Sequence, residues 1–412
     1  MILHSILLGL GIRLASAGRS GEHRPPQQCR WDSGSRLRLG GEPSCVALVD
    51  DRTAAEIGSW EPWAYAPHCV YPPEQGSASK LCVYTYHSAN GEAGLSLIAT
   101  PEMASFVAGI LSARSEPWGE FPSWQLSPGE ARRAYEVVEV PGKGLGVVAR
   151  RKIHRGEVII RETPFVLGFT SDPGAAAGGE KPGLVEVAFT RLPEWHLERL
   201  SGMAVSTGGE WHEDVMRTNT FGVMVDGVEY SALFPEIARI NHACRPNAFT
   251  RYSRTTLQME IVAQQDIESD EEVTITYIPQ NLLTADRQKL ISRRGFTCGC
   301  PVCSTPSVAS SSDANKSRIN AILGTLRDLG PQRTEKILDE LWQEMRQILA
   351  EESLHAQVAE FAGLWADLYW AAGAAAKARE IAGRVLAERV FYNGKDSERA
   401  ERAKGFARKF EG

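Results

Sequence analysis

The chain lacks an excess of positive charge, a long apolar run and a dense supply of cysteine, and each absence closes off a class of protein. Lys+Arg 45 stand against Asp+Glu 51, a formal charge of -6, so no global positive field draws nucleic acid non-specifically. Direct nucleic-acid binding is not expected, and any such contact has to be local or made by a partner. The apolar stretch from Ile2 to Ile12 contains His4 and is about half of the ~20 residues a bilayer-spanning helix needs. It is followed by Ala15-Ser16-Ala17, which has the small-x-small form of a signal-peptidase site, although Arg13 intrudes and no Lys or Arg precedes the apolar stretch. A secretory signal and a frayed or mis-started N-terminus are both open readings. What is present, 412 residues with 43% hydrophobic and 23% charged content, describes a globular chain of two or three packed units at roughly 150 residues each.

The eight cysteines form two sets. Cys29, Cys45, Cys69 and Cys82 are widely spaced in the first quarter, where they read either as two disulfides, in any of three pairings, or as reduced thiols. Cys298-Gly-Cys-Pro-Val-Cys303 packs three thiols into six residues, a spacing chance explains poorly. A tight turn with Gly299 and Pro301 can aim three sulfurs inward while a distant residue supplies the fourth ligand of a tetrahedral Zn²⁺. Cys244 is the remaining cysteine outside the N-terminal set. A local disulfide or free thiols are the alternatives.

The expected class is α+β. Residues 1–17 form the signal-like segment, and 18–128 a Cys- and Trp-rich region with strands at Leu81–Tyr86 and Gly94–Ala99 but no readable motif. From Tyr135 to Glu162 three strand-like pieces separated by Pro141-Gly142 and Arg155-Gly156 predict a β-meander. A Gly- and Ala-rich stretch and a helical pattern follow within an insertion at 168–236. Strands resume at Leu257–Val262 and Val273–Tyr277, in the latter with Val273, Ile275 and Tyr277 on one face. A Ser-rich linker is expected at 305–316. Beyond it, Ile337, Leu338, Leu341, Met345, Ile348 and Leu349, and then Val358, Phe361, Trp365, Leu368 and Tyr369, follow a helical period. With a third helix from Ala375, the block 317–412 reads as a helical domain, either one degenerate tetratricopeptide-like unit or a plain helical cap.

Gly144-Leu-Gly-Val-Val-Ala149 matches G-x-G-x-x-A, but a dinucleotide-binding turn needs a helix at the second glycine, and here β-branched Val147 and Val148 follow. A glycine loop between antiparallel strands can still let a ligand approach the backbone. Downstream come Arg239-Ile-Asn-His-Ala-Cys-Arg-Pro-Asn247, Glu271-Glu-Val-Thr-Ile-Thr-Tyr277 and the C-x-C-x-x-C cluster. In this order they resemble the SET-domain protein lysine methyltransferases, over about Tyr135 to Ser304. The glycine loop alone is a weak signal; Asn-His-x-Cys-x-Pro-Asn is strong, and the ordered set is stronger still. Thr218-Asn-Thr-Phe221, Leu233-Phe-Pro235 and the helices after the zinc tail are most similar to the branch that includes the SET and MYND proteins. No second Cys/His cluster lies in the insertion, so the MYND finger is missing.

The resemblance implies a SET domain over 132–279, with β-sheets around a knot-like crossing, and a zinc-bound post-SET segment over 280–304. It implies an S-adenosylmethionine site lined by Lys143, Gly144, Leu145, Gly146, Asn241, His242, Tyr277 and Phe296. Tyr277 takes the place of the family's catalytic tyrosine. In relatives with this tail the fourth zinc ligand is the cysteine of Asn-His-x-Cys, which makes Cys244 the partner of Cys298, Cys300 and Cys303. The implied partner is a protein presenting a lysine, histone or otherwise; the rival reading is an inactive SET scaffold that binds proteins through its C-terminal helices. Methyl donor and zinc thiolates suit cytosol or nucleus, whereas the signal-like start and N-terminal cysteines suit a secretory route.

Overall fold

A computed structural model describes residues 60–70, 80–88, 93–113, 134–169 and 183–410. The signal-like segment, Cys29 and Cys45 lie outside these residues. The first three strands, β1 (His68–Val70), β2 (Leu81–His87) and β3 (Gly94–Ala99), precede the helix α1 (Pro101–Ser112), which starts at a Thr100 cap. Strands β2 and β3 are buried along nearly their whole length because the sheet is covered on both faces. Tyr84, Leu95 and Leu97 join the main core with Met103 and Val107 of α1, while Val83 and Ile98 point to a second core, as the two-residue period of a strand requires. Register sets Cys69 opposite Cys82, and the two are joined in a disulfide.

The main chain then forms β4 (Tyr135–Val140), β5 (Gly144–Ala149), β6 (Val158–Glu162) and β7 (Val166–Gly168). The expected meander is incorrect beyond its first turn. Strands β4 and β5 make a hairpin, but β6 leaves it for another sheet. Fully buried Ile153 drives the departure, bridging Ile267 and turning the chain away. Strand β7 pairs in parallel with β3 through Ser96↔Val166 and Leu97↔Leu167. Three short helices follow in the insertion, α2 (Leu184–Thr190), α3 (Glu194–Ser201) and α4 (Trp211–Asn219), then the hairpin β8 (Thr220–Val225) and β9 (Val228–Leu233). The resulting six-stranded sheet runs β1-β2-β3-β7-β9-β8, so the N-terminal strands and the insertion's hairpin are one sheet rather than separate units.

The remaining strands are β10 (Asn241–His242), β11 (Ala248–Tyr252), β12 (Met259–Ala263) and β13 (Glu272–Ile275). They complete a four-stranded sheet, β10-β13-β5-β4, and a three-stranded one, β11-β12-β6. Strand β13 ends at Ile275, so Tyr277 lies just past it, and not in the strand as its alternating pattern suggests.

Helices α5 (Thr284–Ser292) and α6 (Pro301–Ser304) flank the cysteine cluster, and α7 (Pro306–Leu329) follows at once. The Ser-rich linker is therefore the first half of a 24-residue helix. Serine's weak helix propensity is overridden by packing: Ser312 and Lys316 are buried on the same helix as Ile319, Ile322, Leu323 and Leu326. Four more helices, α8 (Glu335–Glu351), α9 (Val358–Ala371), α10 (Ala375–Asn393) and α11 (Glu398–Arg408), share a core around Phe361, Trp365 and Tyr369. Gly373, at φ +80, makes the break between α9 and α10. Among the described residues no helix is long and apolar enough to cross a membrane.

Candidate active site and metal centre

The two sequence-distant segments Asn241–His242 and Glu272–Ile275 run side by side in parallel, in register Asn241↔Thr274 and His242↔Ile275. Strand β13 in turn pairs with β5 of the glycine hairpin. Three predicted segments thereby meet. The Asn241 side chain donates from Nδ2 to the Leu145 carbonyl at 3.2 Å and to Glu272 Oε1 at 3.0 Å. Glu272 Oε2 pairs with Lys143 at 2.5 Å. Gly146 is where this approach demands glycine: a Cβ there lies 2.7 Å from Asn241 Nδ2 and 2.5 Å from Val140 Cγ2. Gly144 is needed for a different reason, its φ of +72, which side chains bearing a Cβ adopt at a cost.

His242 is buried, and both ring nitrogens have protein partners. Nδ1 accepts from the Tyr277 backbone N–H at 3.1 Å, and Nε2 lies 3.6 Å from Cys244 Sγ. Burial holds its pKa down to about 4, so at neutral pH the ring is uncharged, with its proton on Nε2 facing the sulfur. Any hydrogen bond from His242 to a cofactor has to come from its backbone. The Tyr277 hydroxyl donates to the Ile240 carbonyl at 2.6 Å, and burial pushes its pKa up to about 12. It is a neutral phenol at pH 7 and no general base. Its ring stands edge-on to Phe296 at 6.3 Å and lies 5.6 Å from the Arg294 guanidinium.

Leu145 and Phe296 are among the few large apolar side chains left exposed, at 42% and 39%. Apolar walls, a glycine edge and a fixed amide are the elements expected of a small-molecule site. Gly295 has φ +88, and a Cβ placed on it would lie 3.3 Å from the Ser206 Cβ, so the insertion's loop lies against the segment that carries Phe296. That loop is held by Asp214, which accepts from the backbone N–H of Ser206, Thr207 and Gly208 and from the Thr207 and Thr218 hydroxyls. Tyr230 is buried in the main core, and Tyr252 has its hydroxyl buried without a hydrogen-bond partner.

Cys244, Cys298, Cys300 and Cys303 gather with their sulfurs all within 4.8 Å of one another; Cys244 lies 3.5 Å from Cys303 and 3.9 Å from Cys298. None is in a disulfide. Zn–S bonds of about 2.3 Å in a tetrahedron imply sulfur separations of about 3.8 Å, so the donor set fits Zn²⁺ with little adjustment. Gln288 of α5 fixes the loop, accepting from Cys298 N–H and donating to its carbonyl. Ile278, Ile291 and Val302 enclose the sulfurs.

Beneath the Asn-His segment lies a buried carboxylate pair. Glu162 accepts from the backbone N–H of Glu236 and Ile237, capping the 3₁₀ turn Ile237–Arg239 that leads into Asn241. Glu236 receives the Tyr135 hydroxyl and pairs with Arg199. Burial pushes the Glu162 pKa up to about 8.

Every predicted site residue thus falls in one connected region. Sequence reasoning missed Glu272, Glu162, the Ile240 carbonyl and Gln288. Glu271-Glu272 stood in view beside the strand pattern, but a carboxylate pair before a strand more often marks a solvated turn. Glu271 in fact takes the Asn247 amide at 3.0 Å.

Residues 144–278 match the family model of the SET domain. The chain carries that domain, and with it the fold in which the crossing of the Asn-His and tyrosine-bearing segments was expected. Among curated proteins, it is 30% identical over 172 residues to the histone-lysine N-methyltransferase set5 of Schizosaccharomyces pombe, covering 41% of this chain and 50% of that protein. It is 41% identical over 85 residues to the histone-lysine N-methyltransferase ATXR2 of Arabidopsis thaliana, covering 19% of this chain and 18% of that one. With human N-lysine methyltransferase SMYD2 it shares 41% identity over 76 residues, 18% of this chain and 17% of that protein. The chain spans half the length of the first relative and under a fifth of the other two.

Proposed function

We propose that the chain is an S-adenosylmethionine-dependent protein-lysine N-methyltransferase with a structural zinc ion held by Cys244, Cys298, Cys300 and Cys303. The observation that carries this reading is the convergence on one site of the glycine loop, Asn241, Tyr277 and Phe296, with the four sulfurs next to them. S-adenosylmethionine supplies a methyl group on a positively charged sulfur. The chain's own groups bind it and set the line of attack: Gly144 leaves the backbone open, Gly146 lets Asn241 pack close against the hairpin, Asn241 is oriented by Leu145 and Glu272, Lys143 is held at the edge by Glu272, and Phe296 and Leu145 offer apolar cover.

The substrate amine has to be neutral to attack. Bringing a lysine of pKa near 10.4 to neutrality at pH 7 costs roughly 4.6 kcal/mol, which an apolar channel beside a cationic sulfur offsets by disfavouring the ammonium. Tyr277 does not take that proton. With its own proton committed to Ile240, its oxygen lone pairs are left to face the partial positive charge of a transferring methyl group, and alignment supplies most of the acceleration. The scaffold reading explains neither the neutral His242 bridging Tyr277 and Cys244 nor the bound Asn241 amide.

Transfer of radiolabelled methyl groups to lysine-bearing proteins, histones included, tests the proposal. Wild type is expected to label, and Tyr277→Phe to lose at least about 100-fold in kcat while still binding S-adenosylmethionine. A wild type that binds no S-adenosylmethionine favours the scaffold.

A further inference from the structure

The Asn-His-Ala-Cys-Arg-Pro-Asn segment is pinned almost entirely from within its own sheets. Asn241 is held by Leu145 and Glu272, and His242 by Tyr277. Asn247 binds Glu271, Glu272 and Thr274. Arg245 is different. Its guanidinium reaches out of the SET domain and donates to Glu352 Oε1 at 2.7 Å, where helix α8 of the C-terminal domain ends. Glu352 is completely buried and is a hub: it also accepts from Ser312 at 2.6 Å and Asn315 at 3.0 Å of α7, and lies 3.8 Å from the buried Lys316 ammonium. The same helix end touches the segment after Tyr277, the Ser353 carbonyl accepting from Gln280 at 3.3 Å.

The backbone is bent to deliver this contact. Ser353 has φ +54, a conformation that favours glycine, and closes α8 with paired bonds, Ser353 N–H to Ala350 and Leu354 N–H to Leu349, in a Schellman arrangement. Helix α7 meanwhile begins three residues after Cys303 and packs Val308 against the four sulfurs. The C-terminal domain therefore grips both chain segments that supply those sulfurs.

We propose that Glu352 is a positioning residue of the metal centre, holding Cys244 in place through Arg245, so that retention of the metal depends on the docked C-terminal domain. This rests on the zinc reading above. Although burial alone raises the carboxyl's pKa, hydrogen bonds from Ser312, Arg245 and Asn315 bring it below the ordinary range, so Glu352 stays a charged acceptor. Removing a partner that orients a metal-ligand segment typically costs 10- to 100-fold in metal affinity.

The test is the rate at which the full-length, zinc-loaded chain gives up its metal to a chromogenic chelator, measured well below the melting temperature. Arg245→Met, which leaves Glu352 its Ser312, Asn315 and Lys316 contacts, and Glu352→Gln are each expected to release zinc roughly tenfold faster. The double variant is expected to release no faster than Arg245→Met alone, because Glu352 acts on the metal centre through Arg245. Arg245→Lys restores part of the loss. Asp396→Ala cuts a second contact between the domains, at Ser253 and Thr255, and is expected to release zinc at the wild-type rate. If Glu352→Gln does not fold, Arg245→Met and its Lys rescue decide the matter. Zinc-loaded Arg245→Met releasing at the wild-type rate overturns the inference and leaves the zinc reading intact, as does equal acceleration by Asp396→Ala. A wild type purified without zinc overturns the zinc reading and this inference with it.

Discussion

Gly146→Ala separates close packing from backbone freedom at the glycine loop. The added Cβ stands 2.5 Å from Val140 Cγ2, 2.7 Å from Asn241 Nδ2 and 3.3 Å from Glu272 Oε1, all inside the contact distance of real carbons, so something must shift. Val140 is fixed by its pairing with Gly144 across the hairpin, and Asn241 by two hydrogen bonds; the amide, half exposed at the edge of the site, yields more easily. Overpacking of this kind costs about 1–3 kcal/mol. If most of it falls on Asn241, affinity for S-adenosylmethionine drops about 10- to 100-fold. Gly144→Ala is the control: nothing lies within 4 Å of its Cβ, and only its φ of +72 is strained, a cost of about 1–2 kcal/mol that falls on stability and leaves Asn241 in place. Calorimetric titration with the methyl donor and thermal melts of both variants measure the two effects. Wild-type affinity in Gly146→Ala, with an unchanged melting temperature, would falsify the packing argument.

Three further outcomes follow from the same geometry. The pKa of Glu162 rises on folding from 4.5 to about 8, so its neutral form contributes stability that is complete below about pH 4.5 and is lost as pH rises towards 8; Glu162→Gln is expected to match wild type near pH 4.5 and to exceed it by up to about 5 kcal/mol above pH 8, as denaturant melts at several pH values will read. Ser353→Gly relieves the left-handed residue at the end of α8 and should raise stability by about 0.5–1 kcal/mol; a lower unfolding midpoint contradicts the strain. Cys244→Ser removes the one sulfur contributed from outside the tail, and elemental analysis is expected to find well under one zinc per chain, with a melting temperature at least about 5 °C lower; full zinc occupancy sinks the four-sulfur site.

Much of the site was legible without coordinates because its chemistry is carried by rare residues in fixed local order. Three cysteines within six positions, an Asn-His pair, and two glycines before a strand stand out as candidates through type and spacing alone. The helices of the C-terminal block were legible for a related reason: an amphipathic period is a local record of one buried face. Errors arose where a residue's environment comes from elsewhere in the chain. Ser312 and Lys316 look like linker residues until Glu352 is placed beside them, and β6 looks like the third strand of a meander until Ile153 is anchored on Ile267.

The amino-acid order by itself determined which groups are available for chemistry, the glycines, the amide, the phenol and the sulfurs, because those properties belong to single side chains and their immediate neighbours. Tertiary structure alone decided that His242 is neutral and turned towards Cys244, that the Tyr277 proton is committed to Ile240, that N-terminal strands complete the insertion's sheet, and that Glu352 reaches Arg245 across 107 positions. Protonation, orientation and partnership are set by burial and by contacts between remote segments, and no local pattern encodes them.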